Sequence, residues 1–401
     1  MIYHLKKQFP IFKNHPNLVY LDSAATTQTP QPVIDAMNKY YIGMRSNVHR
    51  ATYGLAEDAT AAYEKARDKV AEFLNAEREE IIFVPSATYG LNILAQMLKN
   101  RVGEKDNIVL TRYEHHASLI PWQQIVKKSS DRLRYIEMEK FECDLKSIHD
   151  SIDENTQIVS FSLISNVLGT VAPAEVITKR AKEVGAISII DAAQAVGHMP
   201  IDVQALNCDA LVFSGHKMYG PTGIGVLYIK KDLLQTLNPV IFGGGIVHDV
   251  TYNETEWGDI PYRFEPGTQP IAEAIGLGAT VEYIRQVELG KIQEHERQLT
   301  EYALEHLKII SGLELVGPTD GPGGPIISFN LGNTHHGDIA MYLSKKNICV
   351  RSGHHCVYPL MHHLNLSGIV RISFGMYNTI EDVDTFTIEL KNVYSVLKKY
   401  T

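Results

Sequence analysis

The chain has 401 residues, 44% of them hydrophobic and 21% charged, and a formal net charge of -8. This is enough chain for a large core or for two to three domains, and the composition excludes a disordered, collagenous or coiled-coil protein. The acidic balance argues against non-specific binding to nucleic acid or to an anionic membrane, so no partner of either kind is expected.

The four cysteines, Cys143, Cys208, Cys349 and Cys356, form no CxxC pair. A disulfide framework is therefore not expected, and a reducing compartment fits. The N-terminal MIYHLKKQFPIF holds no apolar run of signal-peptide length. No stretch approaches the roughly 18 apolar residues of a membrane span. The expected location is the cytoplasm.

In chain order, apolar runs rich in β-branched residues alternate with helical patterns. IIFV (81–84) is followed by the helix-like TYGLNILAQML, and NIVLT (107–111) by ASLIPWQQIVKK. IVSFSLIS (158–165) leads to EVITKRAKEVG. AISIID (186–191) and ALVFSG (210–215) follow, and GVLYIK (225–230) is placed as a strand pairing at an edge. The runs are continuous rather than alternating, so helices should cover both faces of a mostly parallel, doubly wound sheet. GGGIVHD (243–249) reads as an ordered loop. Residues 271–310 read as helix. The short strands LELVG and PIISFNL, a helix near 338–345, the strands ICVRS and IVRISF, and a closing amphipathic helix (380–399) then predict a smaller α+β domain. The expected division is an N-terminal segment (1–20) packing with the small domain, a large domain (21–270) and the small domain (271–401).

Ligands of open α/β sheets gather at the carboxyl ends of the strands, and the polar clusters of this chain lie there. In SGHKMYGPTGIG, Lys217 follows a buried strand. A desolvated lysine has a lowered pKa and forms Schiff bases with carbonyls; the alternative is a solvated surface turn. Asp191 ends AISII, where a carboxylate is costly unless paired. Pyridoxal 5'-phosphate (PLP) requires such an acid beside its pyridine nitrogen, although an N-cap has the same appearance. Gln194, three residues on, is placed to reach the ring hydroxyl. In YEHHAS, His116 suits stacking on a planar ring; a His pair after a strand also serves for capping or metal binding. Ser86 and Thr88 open a helix after a strand, which suits a phosphate or an ordinary cap.

RSGHHCVYP (351–359) is the most informative segment. Cys356 stands among Arg351, His354 and His355, between a Gly and a Pro. Cations favour the thiolate nucleophile. The alternatives are a buried structural cysteine, a fate that suits Cys349 better, and a metal site. Adjacent ligands on one loop make a poor tetrahedron, and no metal is expected. Arg371, in IVRISF, needs an anion: a substrate carboxylate or an internal salt bridge.

Together SGHKMYGPTGIG, DAAQAVGH, EHHAS, SNVLGT and RSGHHCVYP resemble the group II cysteine desulfurases, which include the selenocysteine lyases. LDSAA (21–25), NVHR (47–50) and RFEPGT (263–268) share the resemblance, which runs over nearly the whole chain. It implies the class-V-aminotransferase-like PLP transferase fold of type I: a large domain with a mostly parallel seven-stranded sheet, plus a smaller α+β C-terminal domain. It also implies a homodimer with sites near the interface. Lys217 would be the Schiff-base lysine, Asp191 the partner of the pyridine nitrogen, Gln194 that of the ring hydroxyl, and His116 the stacking residue. Thr88, Ser214 and His216 would hold the phosphate, with Ser86 compensating for a lost hydroxyl and Thr268 coming from the neighbouring subunit. Asn166 and Arg371 would bind the substrate carboxylate, His49 and Arg351 line the pocket, and Cys356 receive the sulfur. The implied reaction converts L-cysteine to L-alanine, leaving a persulfide on Cys356. That persulfide would pass to an acceptor protein of the SufE or SufU type for iron–sulfur cluster assembly. Release of selenium from L-selenocysteine is the alternative, and a non-catalytic sulfur or metal scaffold a more distant one. Ala87, Ala51, Tyr53 and Tyr358 depart from the family's usual residues.

Overall fold

A computed structural model describes residues 2–127, 130–320 and 323–397. Seven strands build the main sheet: Ile81–Val84, Asn107–Thr111, Leu133–Ile136, Thr156–Ser162, Ile187–Asp191, Ala210–Ser214 and Gly225–Ile229. Counted by their first residues, their spatial order is 81, 225, 210, 187, 156, 107, 133. Gly225–Ile229 is antiparallel to both its neighbours, and the pairs further along the sheet are parallel. This strand is therefore internal, where the sequence suggested an edge. Its continuous apolar run reports burial but not sheet position. The edges are Ile81–Val84 and Leu133–Ile136; the second was missed, being short and with middle residues Arg134 and Tyr135 only half-buried.

Successive strand residues feed opposite cores. Ile81, Phe83, Val159, Ile190 and Phe213 face one side, and Ile82, Val84, Ile158, Ile189 and Val212 the other. Each side is closed by helices, as required when a sheet shows no polar face. Helix Ala87–Leu98 begins at the N-cap Ser86, whose hydroxyl accepts from the Tyr89 N–H. Helix Ala174–Val184 ends at Gly185, which takes the left-handed conformation that a Cβ disfavours.

The predicted helix over 271–310 is two helices, Ile271–Val287 and Leu289–Lys308, divided at Glu288 with φ 71°. The end of GGGIVHD is not loop: Val247–Val250 forms a hairpin with Thr255–Trp257. A four-stranded antiparallel sheet follows, ordered Leu313–Leu315, Ile326–Leu331, Ile369–Ser373, Arg351–Gly353. Helix Ile380–Leu397 packs on its core, and the last residues of the predicted closing helix, 398 and 399, lie outside the described residues. The N-terminal segment touches both parts of the molecule: Leu5, Phe9 and Phe12 enter the core on one face of the main sheet, and other residues reach the small sheet and its helices. Val19–Tyr20 pairs with Ile348–Cys349, and Lys6 forms a 2.7 Å ion pair with Asp382.

Candidate active site

A cavity of about 90 Å³ opens at the carboxyl ends of the central strands. Ser86, Thr88, Asn166, Asp191, Gln194, Ser214, His216 and Lys217 all line it, with His115 and Ser162. Chain topology explains the convergence, since each residue terminates a strand or opens the turn after one. Two close approaches tighten the ring. A Cβ on Gly225 would lie 2.5 Å from the Phe213 carbonyl and 3.1 Å from the Ser86 backbone. A Cβ on Gly197 would lie 2.8 Å from Met218 Cα. Glycine thus lets the Asp191 turn close on the Lys217 turn.

Lys217 sits in the one-turn helix Gly215–Lys217. Burial pushes its pKa below the usual lysine value, and Asp191 opposes that shift. Asp191 is 6% exposed and accepts a 3.0 Å hydrogen bond from the Ala193 N–H. Burial pushes its carboxyl up, against that bond and Lys217. The pair thus combines a lysine poised to lose its proton and a buried acid with spare acceptor capacity. Gln194 Nε2 donates to the Ala24 carbonyl at 2.8 Å, which fixes the amide and leaves its oxygen free to accept.

At the opposite end, Ser214 Oγ accepts from the Ala87 N–H at 2.8 Å. With Thr88 and the first turn of helix Ala87–Leu98, this builds a cluster of hydroxyls and N–H groups that suits an anion. His216 faces the cavity and is pushed down to about 4 by burial, then by Lys217.

The four-stranded antiparallel sheet brings a cysteine loop up to these strand ends. Gly353, His355 and Cys356 have φ of 117°, 51° and 59°. The two non-glycine residues hold left-handed conformations that cost about 1–3 kcal/mol each. Hydrogen bonds from the large domain hold the loop. The His116 N–H donates to the Cys356 carbonyl at 2.9 Å, and Asn166 Nδ2 to the His355 carbonyl at 2.9 Å. The Tyr358 N–H donates to His116 Nε2 at 3.0 Å. His116 Nε2 must then be an acceptor, so the ring is neutral with its proton on Nδ1. Burial, which pushes His116 below the usual value, favours the same state. Any proton His116 exchanges leaves from Nδ1. His355 is buried, and its Nε2 lies 3.2 Å from the Ile369 carbonyl. Cys356 itself is half-exposed. Cys349, expected to be buried, is half-exposed too; Cys208 is the buried one.

Arg371 is 1% exposed. Its guanidinium donates to Asp22 Oδ1 and to the Asn166 carbonyl, each at 2.8 Å. The internal salt bridge left open by the sequence is therefore present. Its Nε remains buried without a partner, the donor a carboxylate ligand would use. Arg351 stands in the neighbouring strand, in register with Arg371. Two predicted site residues lie elsewhere on the protomer. His49 bonds Glu64 at 2.9 Å, and Thr268 lines a separate cleft beside Phe83 and Glu265.

Sequence reasoning missed Asp22 and Glu114. Glu114 is 3% exposed and accepts from Thr111 Oγ1, and from the Ser162 N–H and Oγ at 2.9 and 2.7 Å. Burial pushes it up to about 7 against these bonds. An acid directly before the His pair was the available signal.

The family model for aminotransferase class-V matches residues 19–386. The chain belongs to this family, whose members depend on PLP, and is a PLP-dependent enzyme. It is 43% identical to a probable cysteine desulfurase of Streptomyces coelicolor, across 97% of this chain and 96% of that protein. Its structure is similar to the apo cysteine desulfurase of Thermococcus onnurineus, with TM-score 0.94, 38% identity and 98% of both chains covered. It is also similar to the cysteine desulfurase CsdA of Escherichia coli in an S-sulfonic acid form, with TM-score 0.91, 32% identity and the same coverage. The donor set fits the cofactor: an amine at Lys217, a buried carboxylate with acceptor capacity at Asp191, and an anion cradle at Ser86, Thr88 and Ser214.

Proposed function

We propose that this enzyme is a cysteine desulfurase that converts L-cysteine to L-alanine and takes the sulfur onto Cys356. One observation carries the reading. The Cys356 loop is tied by His116 and Asn166 to the same strand ends that present Lys217 and Asp191. Lys217 and Asp191 would hold PLP at its aldehyde and ring nitrogen and Gln194 at its hydroxyl; the face expected to be covered by His116 falls instead to His115, which lines the cavity where His116 does not. Ser86, Thr88, Ser214 and His216 would hold its phosphate. When bound, the cofactor supplies an electron sink that acidifies the substrate α-carbon.

The remaining work falls to the chain. Lys217, held below the usual lysine pKa by burial, accepts the α-proton. Arg371, through its free Nε, and Asn166 orient the substrate carboxylate, and Arg351 adds positive charge beside them. The Cys356 thiolate attacks the substrate sulfur, forming the S–S bond as the carbon–sulfur bond breaks.

Three finer readings accompany this one. The exposed Phe242, Val250 and Tyr252, at 69%, 60% and 108% exposure, lie on and beside the hairpin near Thr268. They suit a second copy of the chain, which would bring Thr268 to the partner's phosphate and His49 to the rim of its site. The half-exposed Cys356 suits hand-over to a cytoplasmic acceptor protein of the SufE or SufU type, for iron–sulfur cluster assembly. No helix among the described residues is long and apolar enough to cross a membrane. L-selenocysteine is the second substrate to test, because selenium leaves more easily and depends less on Cys356.

The test is alanine formation from L-cysteine with a thiol reductant, comparing wild type with Cys356→Ser. The expected result is alanine from the wild type and at least about a hundredfold less from the variant, which keeps its cofactor. Equal rates would remove Cys356 from the reaction.

A further inference from the structure

Cys356 is followed by Val357, Tyr358 and Pro359, and Tyr358 opens the helix Tyr358–His363. Its ring lies face to face with His354, with centroids 4.3 Å apart and planes at 21°. The same ring runs parallel to His116, at 5.5 Å and 7°, and His362 meets it edge-on at 6.3 Å. Tyr358 therefore links the residue two positions before Cys356 to the residue whose N–H holds the Cys356 carbonyl. Core burial does not account for this arrangement, since Tyr358 is 48% exposed. Its hydroxyl makes no hydrogen bond among the described residues, so the ring face is what its neighbours use.

We propose that Tyr358 is a positioning residue. Its ring, stacked between His354 and His116, fixes the Cys356 loop against Asn166, which lines the cavity, and so sets how fast Cys356 takes the sulfur. The proposal rests on Cys356 being the sulfur acceptor. The stack spans the two left-handed residues that the loop must hold. It adds a ring clasp to two hydrogen bonds at His116: its backbone N–H donates to the Cys356 carbonyl, and its Nε2 accepts from the Tyr358 N–H. Offset and edge-on ring pairs contribute beyond their buried area, and displacement of a reacting atom by an ångström slows a reaction sharply.

The experiment uses holoenzyme carrying Tyr358→Phe, Tyr358→Leu or Tyr358→Ala, with Cys356→Ser alongside. It reads single-turnover alanine formation from L-cysteine, cofactor absorbance, KM for cysteine, and the rate of Cys356 alkylation by iodoacetamide. Tyr358→Phe, which keeps the ring, is expected to stay within about twofold of wild type in every readout. Tyr358→Leu and Tyr358→Ala are expected to slow the single turnover roughly 3- to 10-fold. Both should speed alkylation and leave absorbance and KM near wild type. Wild-type rates from the Ala variant, an equal fall in the Phe variant, or loss of the cofactor from the Leu and Ala variants would each overturn the proposal. If Cys356→Ser makes alanine at the wild-type rate, the parent reading falls instead. If that variant is inactive while Tyr358→Ala is not slowed, only the role of Tyr358 is lost.

Discussion

The Lys217 turn lines the cavity and the Cys356 loop is tied to Asn166 at its edge, yet the two are built on opposite terms. Lys217 follows a fully buried strand in the body of the main sheet, and its turn is set by tight backbone contact at Gly197. The Cys356 loop leaves a three-residue strand in the smaller sheet, carries two left-handed non-glycine residues and leans on hydrogen bonds from the other part of the molecule. The contrast follows the chemistry. A cofactor needs one rigid seat for the life of the protein, whereas the sulfur carrier proposed at Cys356 would face inward to load and outward to deliver.

The sharpest way to break this comparison is at the lysine. Lys217→Ala is expected to leave the fold intact, abolish the visible absorbance of the bound cofactor and cut alanine formation by more than about a thousandfold. A coloured, active variant would end the assignment. The next test lies beneath the cavity. Glu114 has a folded-state value of about 7 against an ordinary 4.5, so the folded state binds the extra proton between those values. The contribution of this group to stability is fully present below pH 4.5 and is lost as pH rises through 7, a change of about 3 kcal/mol. Denaturant midpoints measured from pH 5 to 8 should show that slope in the wild type and lose it in Glu114→Gln. A smaller effect is expected at the tether. Asn166→Ala removes the donor to the His355 carbonyl and should lower kcat about tenfold, near 1.4 kcal/mol. The cofactor spectrum should stay unchanged; a spectral shift would mean that Asn166 belongs to the rigid seat.

The two halves also differ in how much the sequence disclosed. The rigid half was readable because a continuous apolar run that stops at Asp191 or Ser214 marks the end of a buried strand. The sheet's order was less readable. Gly225–Ile229 and Leu133–Ile136 show that local hydrophobicity reports burial, while edge or interior position is decided by pairing with distant strands. In the loop half, the type of residue singled out Cys356 as a candidate, but not what holds it. Asp22 reaches Arg371 across 349 positions, and the His116 N–H reaches the Cys356 carbonyl from another sheet. Neither contact leaves a mark in local pattern. The Tyr358 ring stack likewise depends on where helix and loop come to rest.

Asp22 has a further consequence. The residue that pairs with Arg371 is made early, while the strand Ile369–Ser373 that carries Arg371 is made some 350 residues later, and that strand also completes the sheet edge on which Arg351–Gly353 rests. The main sheet, ending at Ile229, precedes it by more than a hundred residues. During synthesis every strand of the main sheet is therefore made before Cys356 and the strand beside its loop exist. The order of the chain thus schedules assembly: the strands that present Lys217 come first, while Met376 and Tyr377, which complete the core on one face of that sheet, come after the thiol.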